Sequence, residues 1–117
     1  MKLDTRSKIL PAERAGEFQD AVFVAMYLDP LTAAHARRLD ELAGGGRKVV
    51  VVLSDPPEPL VPLAARAELA AALDAVSAVI VSDSAPPDAV DERPADLERR
   101  ETLVRHVLDR HAATSAV

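Results

Sequence analysis

Apolar residues come in short unbroken blocks along this chain, separated by segments of helical spacing. Residues 21–28 (AVFVAMYL) are continuously apolar, as are residues 49–53 after Lys48 and residues 78–81. Runs this short, without period-two alternation, predict strands buried on both faces. After the first run, Asp29-Pro30 predicts a helix reaching about residue 42, with Asp29 as N-cap and Pro30 preset for the first helical position. Leu31, Ala34 or His35, Leu39 and Leu42 fall near one face, and Ala43-Gly44-Gly45-Gly46 closes the helix. Residues 54–62 carry four prolines, which excludes regular structure over most of the segment. Residues 63–73 read as an alanine-rich helix, with Leu69, Leu73 and Val76 at helical spacing. A loop rich in Pro, Asp and Ser follows at 82–94. A long amphipathic helix then spans 95–112, with an apolar stripe of Leu97, Val104 and Val107 or Leu108 that His111 would extend. Residues 1–20 are polar apart from Ile9-Leu10 and predict a short arm or helix.

Two-sided strands alternating with helices imply parallel strands and crossover connections. The expected architecture is a single Rossmann-like α/β domain, a short parallel sheet with helices on both faces. An N-terminal arm at 1–20 precedes the domain at 21–112, and a tail at 113–117 follows. Ligands of such sheets bind beyond the C-terminal strand ends. That edge collects Leu28-Asp29-Pro30, Ser54-Asp55 and Ser82-Asp83.

Composition narrows the picture. Apolar residues make up 49% of the 117 residues but aromatics only 3%, so the core is aliphatic and thin-layered. Fourteen basic against 19 acidic residues give a net charge of −5, with lysine only at positions 2, 8 and 48. A nucleic-acid surface needs clustered cations, so nucleic acid is not an expected partner. Cysteine is absent, which excludes disulfides and thiolate metal sites. No apolar run reaches the ~20 residues that span a bilayer, and the first ten residues lack the apolar core of a signal peptide. The expected address is the cytoplasm.

Candidate chemistry is sparse. His35 reads either as a phosphate ligand or as a surface or boundary histidine. Arg66 reads as a phosphate ligand or as the partner of Glu68, Glu58 or a helix end, with the structural ion pair favoured. Ser54-Asp55 suits a ribose or a turn. His106 and His111 are five apart and do not share the face of a helical metal pair, so no metal site is expected. The three glycines follow a helix and precede a strand, the reverse of a phosphate loop.

The segment VFVAMYLDPLTAAHARRLDEL resembles the first motif of the cytidylyltransferase-like nucleotidyltransferases, most closely the adenylyltransferase domain of ADP-heptose synthase. That motif is an apolar strand, a glycine, Phe-Asp, two residues, then His-x-Gly-His opening a helix. Without a gap, Phe-Asp falls on Leu28-Asp29 and His-x-Gly-His on Thr32-Ala33-Ala34-His35. KVVVVLSD resembles the second strand with its Ser-Asp end. PLAARAELAAALDAVSAVIV resembles the family's Pro-Leu-x-x-Arg-Ala helix and third strand. The likeness covers roughly residues 7–83.

The resemblance implies nucleotidyl transfer, in which the protein positions a nucleoside triphosphate and stabilises charge on its phosphoryl oxygens. It places His35 and Thr32 in the catalytic positions and Asp29, Ser54, Asp55 and Arg66 in the nucleotide or phosphate site. Mg²⁺ and a nucleoside triphosphate are implied if the protein is active. The chemistry-bearing residues depart from the pattern. Thr32 replaces the first histidine, Ala34 the intervening glycine, and Met26 a strand-end glycine that keeps the site open. The basic loop after the second strand is replaced by PPEPLVP, and the late Ser/Thr-rich phosphate motif is missing. Removing one transition-state donor typically costs ~10²–10³ in rate.

The expectation is therefore a nucleotidyltransferase-fold protein with a degenerate site and a binding, structural or partner-subunit role. It would hold a nucleotide or sugar phosphate weakly, or form a homodimer or a complex with a related subunit. The alternatives are an active adenylyl- or cytidylyltransferase acting on a small phosphorylated sugar or alcohol, and an unrelated α/β interaction module.

Overall fold

A computed structural model describes residues 4–115. The first three residues of the expected arm and residues 116–117 of the expected tail lie outside these. The strands are β1 (Ile9–Leu10), β2 (Val22–Met26), β3 (Val49–Leu53), β4 (Ala78–Val81) and β5 (Val90–Asp91). They form one all-parallel sheet in the order β1-β4-β3-β2-β5. The helices are α1 (Ala33–Leu42), α2 (Leu63–Ala71) and α3 (Arg93–Ser115), with 3-10 helices at Thr5–Lys8 and Ala12–Glu17. The Rossmann-like α/β class read from the sequence is the one observed.

β3 lies at the centre, and all five of its residues are buried. Each such valine or leucine contributes about 1.5–3 kcal/mol relative to exposure, which makes this strand the anchor of the fold. On one face Val49, Val51 and Leu53 pack with Leu39 and Leu42 of α1 and Ala67, Ala70 and Ala71 of α2. The alanines let α2 lie close to the sheet. Met26, expected to intrude on the ligand edge, is fully buried in this same cluster. On the other face Val50, Ala78 and Ile80 are covered by Leu10, Ala15 and Phe18 from the N-terminal segment.

That segment is more than an arm. Ile9 and Leu10 pair in parallel with Val79 and Ile80 and form one sheet edge. Lys8 Nζ donates to the Leu73 carbonyl at 3.1 Å, just past the C-terminus of α2, where cations are favoured. The opposite edge is β5, inside the stretch expected to be a loop. It pairs Val90 and Asp91 with Val24 and Ala25. Neither two-residue strand is long enough to show periodicity.

α1 starts later than expected. Its N-cap is Thr32, whose extended backbone (φ −124°, ψ 169°) suits that position. Asp29 is not the cap; its carboxylate turns away, toward residues 60 and 61. The helix ends at Leu42 with Ala43 as its C-cap, and the left-handed conformation falls to Gly45 and Gly46 (φ 81° and 78°), where a Cβ would be strained. α3 continues past the expected limit into positions assigned to the tail. Its stripe is largely uncovered, with Val107 and Leu108 56% and 60% exposed. No helix of the described residues is long and apolar enough to cross a membrane.

Candidate functional site

The strand order reverses at β2: β3 and β4 lie to one side and β5 to the other. In open parallel sheets the crevice outside the strand ends at such a point is where ligands bind. Here the chain's own elements fill that crevice.

β5 delivers α3 directly onto the end of β2. The Glu92 amide donates to the Ala25 carbonyl at 3.0 Å, and four residues later the Asp96 carboxylate reaches under the Tyr27-Leu28 backbone. Asp96 Oδ2 accepts the Tyr27 N–H at 2.9 Å and the Leu28 N–H at 3.4 Å. Leu28 has a φ of 52°, an unusual conformation for a bulky residue. Asp96 Oδ1 is 2.8 Å from His35 Nε2 and accepts Arg99 Nη1 at 3.3 Å. His35 is 2% exposed and Asp96 4%, so the surface or boundary reading of His35 is corrected.

The imidazole has one arrangement that fits its partners. The Thr32 backbone N–H donates to His35 Nδ1 at 3.0 Å, and Thr32 Oγ1 lies 2.9 Å from the same atom. A backbone N–H can only donate, so Nδ1 is the acceptor and Nε2 carries the proton toward Asp96. This is a capping box with histidine in the position usually held by Glu or Gln.

A second cluster stitches down the proline-rich loop. Four prolines in 54–62 remove four N–H groups but leave the carbonyls needing donors. Arg66 is fully buried and supplies several: Nη1 to the Tyr27 and Ser54 carbonyls at 2.7 and 2.9 Å, and Nε to the Val61 carbonyl at 2.9 Å. Its Nη2 pairs with Asp55, so its carboxylate partner is Asp55 rather than Glu58 or Glu68. Asp29 accepts the Leu60 and Val61 N–H groups at 2.8 and 2.7 Å, and it lies 4.0 Å from Arg66 Nε and 3.7 Å from Arg100 Nη1. Arg100 also donates to the Pro57 and Glu58 carbonyls at 2.7 and 2.6 Å.

The sequence candidates Asp29, Thr32, His35, Ser54, Asp55 and Arg66 do gather at one edge. The polar contacts just described join them to the protein itself. Ser54 contributes through its backbone: its carbonyl accepts from Arg66, and its N–H donates to the Met26 carbonyl at 3.3 Å. The space left between Asp29, His35, Asp96, Arg99 and Leu103 is about 10 Å³, roughly the minimum for a single water. Among the described residues no buried side-chain nitrogen or oxygen lacks a partner, and no group of acids and histidines could hold a metal ion.

Asp96, Arg99, Arg100 and Glu92 are the participants that sequence reasoning missed. Glu92 accepts from Arg38 Nε at 2.7 Å, a bond that raises the Arg38 guanidinium above its ordinary range. At the same junction Asp91 is bonded to Arg93, which holds its carboxyl below the usual aspartate range. The only sequence signal was an acidic residue in the first turn of a helix, which is common for electrostatic reasons alone.

No family model, curated protein or solved structure matches this chain.

Proposed function

We propose that this chain is a cytidylyltransferase-like, nucleotidyltransferase-fold protein that lacks transferase activity and serves as a structural or partner subunit. The observation that carries this reading is the Asp96 carboxylate seated on His35 Nε2 and the Tyr27 N–H, at 2.8 and 2.9 Å. Nucleotidyl transfer needs donors aimed at phosphoryl oxygens in an open cleft. In this chain the histidine donor faces an internal carboxylate, and Arg66 faces backbone carbonyls and Asp55. Thr32 and Ala34 stand where the family has its first histidine and glycine, so the charge-handling set is thin even apart from the contacts of α3.

The exposed stripe of Leu103, Val104, Val107 and Leu108 supports the partner-subunit part of the reading. With Pro30, Leu60 and Val61 it lines a wholly apolar groove of about 280 Å³. A homodimer or a related subunit would cover it.

The test is pyrophosphate release by the purified chain with ATP or CTP, Mg²⁺ and a panel of phosphorylated sugars and alcohols. The expected result is none above the protein-free control. Sustained release that His35→Ala abolishes would establish the active transferase instead. A thermal shift with the same nucleotides reports any residual binding.

A further inference from the structure

We infer that the seat of the Asp96 carboxylate is an oxyanion site filled by the chain's own side chain, and that emptying it creates a site for a free carboxylate or phosphoryl group. This deepens the reading of an internally closed edge and rests on it.

Donors from three segments converge on this one carboxylate and engage both of its oxygens. Tyr27 and Leu28 offer two successive backbone N–H groups to the same oxygen. Successive N–H groups turned to one side form a concavity that binds anions, and the left-handed Leu28 permits that turn here. α1 offers His35 Nε2–H, and α3 adds Arg99.

Most of this geometry does not depend on Asp96. Thr32 fixes the imidazole ring and its tautomer through Nδ1, so the Nε2 proton points into the seat whether or not a carboxylate is present. The Tyr27-Leu28 backbone continues directly from β2, which is paired on both sides. The donors are therefore held in place by the scaffold. The seat also lies at the point where the strand order reverses, the usual ligand position in such a sheet.

A tethered carboxylate competes at a high effective concentration, so free anions at millimolar levels do not displace it from the wild-type chain. A ligand anion and the Asp96 carboxylate are mutually exclusive occupants of the seat.

The experiment removes the tethered anion and supplies a free one. Asp96→Ala should melt well below wild type in sodium chloride. Sodium formate at matched ionic strength and pH should raise its midpoint saturably, by about 3–6 °C, with inorganic phosphate as the second probe. Wild type should show no such response, and the double variant Asp96→Ala with His35→Ala should lose it. If Asp96→Ala is unfolded in chloride, formate should restore its far-UV circular dichroism. A flat formate and phosphate response in the folded variant, or failure of either to refold an unfolded one, overturns the inference. So does a saturable wild-type response to either anion that His35→Ala removes, since the seat would then be open. Pyrophosphate release by wild type would sink the functional reading without altering the formate result, so the two fail separately.

Discussion

His35 and Asp96 stand 61 residues apart in sequence and 2.8 Å apart in space, with the imidazole Nε2–H donating to the carboxylate. Thr32 holds the opposite ring nitrogen, so the histidine joins the start of α1 to the start of α3. This one side chain ties together two helices that approach the sheet edge from different parts of the chain. Residues 101–112 of α3 are exposed, so few apolar contacts of that helix back the clasp.

Removing the imidazole leaves a buried carboxylate short of a donor. His35→Ala is expected to destabilise the fold by about 2–4 kcal/mol, in the range for breaking a buried charged hydrogen bond. Denaturant unfolding of the single and double variants with Asp96→Asn should give a coupling energy of about 1–3 kcal/mol. A cost for His35→Ala near that of a surface substitution would mean the clasp is not what closes the edge.

Arg66 makes a different demand, for shape as much as for charge. Its guanidinium reaches three carbonyls and Asp55 at once from a fully buried position. Lysine keeps the charge but not the planar fork. Arg66→Lys is therefore expected to cost about 3 kcal/mol or more, close to the cost of Arg66→Met. Thermal or denaturant melts of the two variants decide the point, and a near-neutral lysine would show that charge alone suffices.

Asp29, expected as a helix cap, acts instead as a loop anchor, because Leu60 and Val61 offer it two N–H groups. Asp29→Ala should release those two amides before the rest of the domain. Hydrogen exchange at Leu60 and Val61 is expected to accelerate roughly tenfold or more, with the β3 amides far less affected. Equal acceleration across the sheet would mark a global effect and remove the local assignment.

The parts of the fold legible in the sequence are those decided by local burial. Val49–Leu53 reads as a two-sided strand because every residue in it must be apolar, and every one is buried. β1 and β5 were illegible for the converse reason: two residues carry no period, and they become strands only by pairing with β4 and β2. The candidate site was half legible. Strand ends and the helix start pointed to Asp29 and His35, and the family resemblance pointed to Arg66, but their partners come from distant segments. Nothing near His35 signals Asp96. The stripe of α3 was visible as a period, and a period gives the direction of an apolar face, not whether anything covers it.

Acid should weaken the β5–α3 junction in a defined direction. Arg93 bonds the Asp91 carboxylate and holds it below the ordinary range, so its contribution is present above the usual aspartate value of about 3.9. It is lost as pH falls through the lower folded value. Both side chains are substantially exposed, so the effect is small. Asp91→Asn is expected to lower stability slightly at neutral pH and to become indistinguishable from wild type in strong acid. Melting midpoints from pH 7 downward test this, and a difference that widens on acidification would reverse the sign.

The outer turns of α3 separate folding from association. Val107 and Leu108 are mostly exposed in the single chain, so their apolar side chains contribute little to its fold. Surface substitutions of this kind usually stay within ~0.5 kcal/mol, and Val107→Gln with Leu108→Gln should follow that rule when measured on dilute protein. Leu39→Ala removes a fully buried side chain and should cost about 2–5 kcal/mol. The partner-subunit reading adds a second expectation. At higher concentration the wild-type chain, alone or with a related subunit, should sediment above its monomer mass of 12.5 kDa, and the glutamine variant should return to it. A wild-type chain that stays monomeric at all concentrations, with and without such a subunit, would leave the stripe an ordinary solvated face and withdraw the support it gives to that reading.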